Sequence, residues 1–190
     1  MPLPRFAVVD VETSGLSDRR HRILQLGAVL IEADGTVVDQ WSSLVRLQWP
    51  LQRVGPTRIH GITRPMLRGA PRLDTALDQL APLLNGAIFT AHNAEFDAGF
   101  ILRAAHRRTG FELGPQLCTL RMSRRLDPER HMSHRLIDVA ERYGVDLSAP
   151  HNALADAGAT AAILPHLLAA HHVVEPEQLT PFFVRQKPPQ

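Results

Sequence analysis

Two spacings of apolar residues alternate along the chain. Phe6 to Glu12 reads FAVVDVE, a short apolar run rich in valine that predicts a buried strand. Ile23 to Glu32 and Thr36 to Val45 predict two more strands. The Ala33-Asp34-Gly35 turn between them predicts an antiparallel hairpin. Leu47 to Thr63 is broken by Pro50, Gly55, Pro56 and Gly61 and predicts mostly loop. The spacing then changes, for Leu73, Leu77, Leu80 and Leu84 recur at helical intervals up to Gly86. Ala87 to Ala91 predicts a short strand, and Glu95 to Arg108 predicts a helix capped by Gly110. Leu136, Val139, Ala140 and Tyr143 form a further helical face closed by Gly144. A last, alanine-rich helix starts near Asn152, and Pro165 is expected to kink or divide it. Prolines recur from Val174 to Gln190, which predicts a C-terminal tail (174–190) after a domain spanning residues 1–173. Strands first, then strand and helices in alternation, predict an α/β domain with a mixed sheet.

Composition adds bounds to this picture. A chain of 190 residues suffices for one domain with a sizeable core, and 44% hydrophobic with 21% charged residues is ordinary for a globular protein. No uninterrupted apolar run of about 18 residues occurs, so no membrane span is expected. The opening MPLPRFAVVD lacks a secretory layout, and the single cysteine, Cys118, excludes an internal disulfide. A cytoplasmic protein is the expectation. Net charge is only +2, yet nearly all basic residues are arginines, several of them crowded around Arg103 to Arg108 and Arg121 to Arg135. Guanidinium forks suit phosphate oxygens, so a polyanionic partner is one reading and a solvated face the other.

Three stretches carry candidate chemistry. In VVDVETSGL, Asp10 and Glu12 stand two apart on a strand and so share a face. Two such carboxylates repel, and a hard divalent cation would join them; solvated acids at a strand end are the alternative. In TAHNAEFDAGFI, Asp97 falls in the first turn of a helix, where the helix dipole alone would favour it, and Asn93 suits the N-cap. Phe96 reads as core or as a surface for stacking a base. In HNALADAGAT, Asp156 follows His151 by five residues at the start of the alanine-rich helix, whose small side chains allow close approach to the sheet. The alternative there is a surface histidine and a surface acid.

Taken together, VVDVETSGL, HNAEFD and HNALADA resemble the three exonuclease motifs of the DEDDh branch of the DEDD superfamily, the DnaQ-like enzymes that include the proofreading ε subunit of bacterial DNA polymerase III. HGIT (His60 to Thr63), CTLRMSRRL (Cys118 to Leu126) and HRLIDVAERYGV (His134 to Val145) extend the resemblance over roughly Phe6 to Leu168. It implies a ribonuclease H-like α/β fold: a central mixed five-stranded sheet, its first three strands antiparallel, with helices on both sides. It implies that Asp10, Glu12, Asp97 and Asp156 hold two ions, Mg²⁺ or Mn²⁺, with Asp10 bridging, Glu12 and Asp156 completing one site and Asp97 serving the other. His151 becomes the general base in 3′–5′ hydrolysis that releases 5′-mononucleotides. Thr13, Gly15 and Leu16 are similar to residues whose backbone holds the terminal nucleotide, and His60, Asn93 and Phe96 to residues lining its pocket. One departure is Gly55, where the ε subunit carries an acid.

Single-stranded DNA is the substrate expected first. Exoribonuclease activity, as in ribonuclease T and oligoribonuclease, is the alternative, and a non-catalytic nucleic-acid-binding scaffold is the alternative of another class. Gln178 to Phe183 contains QLTPF, which resembles the peptide that bacterial proteins insert into the sliding clamp, with Pro181 in place of the usual leucine. A segment docked on its own domain is the preferred reading, and a sliding clamp or a polymerase subunit bound through Gln178 to Phe183 is the alternative partner. His131, His134, His171 and His172 lack accompanying cysteines and read as surface residues rather than zinc ligands.

Overall fold

The computed structural model describes residues 2–49, 51–106, 111–147 and 150–184. Five strands form one sheet: β1 (Phe6–Thr13), β2 (Ile23–Ile31), β3 (Val37–Leu44), β4 (Ile88–Ala91) and β5 (Gln116–Cys118), in spatial order β3-β2-β1-β4-β5. The first three are antiparallel neighbours, while β4 and β5 run parallel to β1. The helices are α1 (Thr57–His60), α2 (Arg64–Leu67), α3 (Leu73–Leu84), α4 (Ala94–Ala105), α5 (Thr119–Arg125), α6 (Leu136–Arg142) and α7 (Ala153–Ala170), followed by a 3₁₀ turn at Pro176–Phe182. This is the mixed five-stranded sheet with helices on both sides that the family resemblance implies.

β1 is central, which explains its continuous apolar run. Val9 and Val11 pack into one core with Leu77 and Leu80 of α3 and Ala98 and Ile101 of α4. Phe6 and Val8 face the opposite core, with Ala157, Ala161 and Leu164 of α7 and Val139 of α6. Strand alternation therefore points Asp10 and Glu12 toward the α7 side.

Several expectations change. β5 and α5 lack a signal of their own, because a strand of three residues shows no period. Pro165 does not divide α7, which runs unbroken for 18 residues with the proline inside it. Its ring instead packs beside the β2–β3 turn, where a side chain at Gly35 would come within 2.9 Å of Pro165 Cγ. Among the described residues, α7 is the one helix long and apolar enough to cross a membrane, with mean hydropathy 1.4, which the sequence reading did not anticipate. Here its leucines and alanines cover β1 and β2. The α4 helix is described to Ala105 and His106; Arg107, Arg108 and the expected Gly110 cap lie outside the described residues.

His134 is not a free surface residue. Its Nδ1 pairs with Ser123 Oγ at 2.9 Å and its Nε2 with Asp127 Oδ2 at 3.2 Å, while Asp127 also accepts the His131 and Met132 N–H groups. With Ser123 buried, this chain of bonds anchors the segment between α5 and α6. His171 likewise pairs through Nε2 with the Met122 carbonyl and lies against Phe182.

The segment after α7 packs on the domain. Leu179 and Phe182 are buried, Phe183 bridges to Leu117 of β5, and Val184 N–H donates to the Gln116 carbonyl. Leu179 and Phe182, the apolar residues of the clamp-like QLTPF, are thus seated on the domain itself, as in the reading of a segment docked on its own domain. Residues 185–190 lie outside the described residues.

Candidate active site

The site forms where β1 outruns its parallel neighbour. β4 pairs with β1 only as far as Val8, and the chain then turns through Asn93 into α4. Beyond that point the Val11 N–H is satisfied by a side chain instead of a strand: it donates to Asp97 Oδ1 at 3.1 Å. Asp97 is thereby buried between Asp10 and Glu12 along the strand, held by main chain and not only by the dipole of α4.

α7 brings the fourth carboxylate from the opposite side of the chain. Gly27 of β2 lies opposite Asp10 in register, and a Cβ there would sit 2.3 Å from the Ala153 carbonyl. Only glycine lets the first turn of α7 rest on the strand so closely. Gln25, opposite Glu12, accepts the Ala153 N–H through Oε1 at 3.3 Å, and Asn152 caps the helix by accepting the Leu154 and Ala155 N–H groups. This docking places Asp156, one turn into α7, against Glu12. Glu12, His151 and Asp156 each offer a ligand atom within 4.8 Å of the others.

His151 is exposed in the left-handed region, at φ 64°, and its N–H donates to Asp156 Oδ2 at 3.1 Å. Asp156 Oδ1 is buried with no hydrogen-bond partner.

Burial makes all four carboxyls of the cluster harder to ionise. Burial pushes the Asp10 carboxyl well above its ordinary range, and Asp97, Asp156 and Glu12 push it further. Burial and then Asp156 raise Glu12 to about 7. Burial raises Asp97 to about 7, against the hydrogen bond from Val11, with Glu12 and Asp156 adding to the rise. Burial also raises Asp156, partly offset by the N–H and charge of His151. An orphaned buried oxygen among clustered carboxylates fits a hard divalent cation, which supplies the missing partner and the missing charge.

The chain matches a family model described as "Exonuclease", the RNase T family, over residues 7–164. It is 38% identical over 164 residues to PolC-type DNA polymerase III of Staphylococcus aureus and of Staphylococcus epidermidis. That alignment covers 83% of this chain and 11% of either relative, so the chain spans about a ninth of their length. It superposes on exonuclease X solved with 5′-overhanging duplex DNA, with TM-score 0.68 and 26% identity over 92% of this chain and 96% of that one. It superposes on Escherichia coli exonuclease I solved with single-stranded DNA, with TM-score 0.76 and 20% identity over 90% of this chain and 42% of that one. The nuclease domain of 3′hExo, a DEDDh family member bound to rAMP, matches with TM-score 0.75 at 16% identity, over 90% and 94% of the two chains. The chain belongs to this exonuclease family. It is a nuclease of DEDDh type, and divalent-metal dependence comes with that family.

Around the acids, the exonuclease places its remaining sequence-predicted residues less evenly. Thr13 and Ser14 are nearly buried, and Thr13 Oγ1 donates to the Gly15 carbonyl. Leu16 projects outward at 86% exposure. Gly55, at φ 81°, lies against this loop, for a Cβ there would meet the Ser14 carbonyl at 2.3 Å. The position that carries an acid in the ε subunit has no room here for any side chain. His60 is buried at the end of α1, its Nδ1 accepting the Ile62 N–H, and its Nε2 has no hydrogen-bond partner. Burial lowers its pKa, the Val54 main chain opposes the fall, and the neighbouring His151 adds to it. Asn93 occupies the N-cap position of α4, but its side chain makes no capping bond. Phe96 is half-buried and packs on Phe100 with ring centroids 5.0 Å apart. Sequence reasoning missed Gly27 and Gln25. The signal was present in ILQLGAVL, where a glycine interrupts an otherwise apolar strand and marks a close backbone approach.

Proposed function

We propose that this exonuclease removes 5′-mononucleotides from the 3′ end of single-stranded DNA, with Mg²⁺ or Mn²⁺ held by Asp10, Glu12, Asp97 and Asp156. The observation that carries the reading is the convergence of carboxylates from β1, α4 and α7, each raised in pKa, with His151 beside them. When bound, the cations neutralise the phosphate and the attacking and leaving oxygens of the displacement.

The side chains divide the remaining work. Asp97, fixed by Val11, and Asp156, fixed by the N–H of His151, keep their carboxylates in place without substrate. His151, exposed at the rim, takes the proton of the attacking water on an imidazole nitrogen and passes it to solvent. The Thr13–Leu16 backbone holds the terminal nucleotide, Leu16 lies against its base, and Phe96 and His60 bound the pocket. The exposure of Leu16 beside the acids supports this division.

DNA is favoured over RNA because the more similar relatives are named as DNA polymerases and exonuclease X was solved with DNA. The same likeness supports proofreading or repair beside a polymerase. The test is digestion of matched DNA and RNA oligonucleotides, labelled at either end, with Mg²⁺, Mn²⁺ or EDTA. Immediate release of labelled mononucleotide from 3′-labelled DNA, abolished by EDTA, is expected. Faster release from RNA would move the substrate class, and binding without release would make the domain a scaffold.

A further inference from the structure

Beside the acidic site lies a second concavity of about 280 Å³, walled by the loop after β1, the start of β2, the exit of β3 and the outer turns of α4. Its lining includes Arg19, Arg22, Arg46 and Arg103 against a single acid, Asp18. These arginines are far apart in sequence and meet only in the fold. All four are exposed, and Arg22 also donates through Nη1 to the His21 carbonyl at 2.8 Å. Among the arginines between Arg121 and Arg135, Arg121 donates to the Phe183 carbonyl, Arg125 lies over the Phe182 ring, and Arg135 pairs with Asp138.

Position relates the groove to the site. Ile23 lines the groove and pairs with Thr13, one residue beyond Glu12. Phe100 also lines it and packs on Phe96 beside Asp97. The loop from Gly15 to Arg22 follows β1 directly and contributes Asp18, Arg19, His21 and Arg22 to the groove; it is closed by the Ser14 N–H to Arg22 carbonyl bond and the His21 ring over Gly15. Along α4, Arg103 lies six residues past Asp97, about 9 Å along the helix axis. Trp49, 66% exposed, stands between Gln48 and Gln52, which also line the groove.

We propose that this groove binds the phosphate backbone of a single strand on the 5′ side of the scissile bond, with Arg22, Arg46 and Arg103 on successive phosphates and Trp49 stacking a base at the rim. The proposal rests on the exonuclease reading of the adjacent site and names where the rest of the substrate lies. Clustered guanidinium groups of one sign with an exposed indole match a strand of regularly spaced anions carrying π faces.

The test is fluorescence anisotropy of a labelled single-stranded oligonucleotide in EDTA across a range of salt, for wild type and for Arg46→Ala/Arg103→Ala. These side chains are exposed, so both proteins should share one melting temperature, and Arg46→Lys/Arg103→Lys should restore most of the binding. The expected result is a log–log salt slope shallower by about 1.4, as the loss of two phosphate contacts on a single strand requires, and binding weakened about tenfold or more near 0.1 M salt. Equal affinity and equal slope for wild type and the alanine variant would overturn the groove. Failure of the exonuclease reading shows separately, as wild type that binds the strand and releases no nucleotide with Mn²⁺.

Discussion

Glu12 and Asp97 have carboxyls raised to about 7, from ordinary values near 4.5 and 3.8. In the cation-free protein these groups hold protons in the folded state that they have already lost in the unfolded chain. Stability contributed by the bound protons is present at low pH and is lost as pH rises through the interval up to about 7. We expect the melting temperature in EDTA to fall by several degrees between pH 5 and pH 7.5, and the rise caused by Mn²⁺ to grow over the same interval, since the cation binds the deprotonated cluster. Asp10→Asn removes one of the crowded charges. It should raise the melting temperature in EDTA while lowering nucleotide release by roughly a thousandfold or more. His151→Ala should act differently, cutting turnover by about 10² to 10⁴ while leaving most Mn²⁺ affinity intact, as calorimetry and steady-state kinetics on the same variant would show.

At the scale of elements, the decisive contact is that of α7 on β2. Gly27→Ala forces the Ala153 carbonyl away from the strand and lifts Asp156 with it. A loss of about 1–3 kcal/mol in urea unfolding, together with a loss of nucleotide release larger than the stability change explains, is the expected outcome. A fully active Gly27→Ala would show that α7 is not positioned by this approach. The same contact marks the limit of what the sequence discloses. The helices α3, α4, α6 and α7 are legible from their period and β1 and β2 from their apolar runs, because each buries residues in the core, whereas the largely exposed β3 is legible from the Ala33-Asp34-Gly35 turn before it. β5 is three residues long and α5 follows it without a break, so neither has room for a period. That Asp97 fills the open edge of β1 at Val11, or that Gln25 receives the start of α7, depends on pairings between segments distant in the chain. The acids and His151 are visible as motifs, whereas the means of bringing them together are not.

At the scale of the molecule, the segment after α7 closes the far side of the core. Phe182 lies beneath Arg125 and against His171, and Leu179 is fully buried. Phe182→Ala should cost about 3–5 kcal/mol in denaturant unfolding, the usual range for a buried phenylalanine, with nucleotide release retained below the transition. That outcome would set the segment apart from a peptide held ready for a partner. The proposed groove reaches the acidic site around the end of β1, where Ile23 pairs with Thr13.

Isothermal titration of the cation-free protein with Mn²⁺ near pH 7 tests the central claim most directly, because it reads the acidic cluster without a substrate. Heat of binding accompanied by proton release to the buffer, lost in Asp10→Ala, is the result expected of carboxylates gathered to share cations. Equal binding by wild type and Asp10→Ala would contradict it.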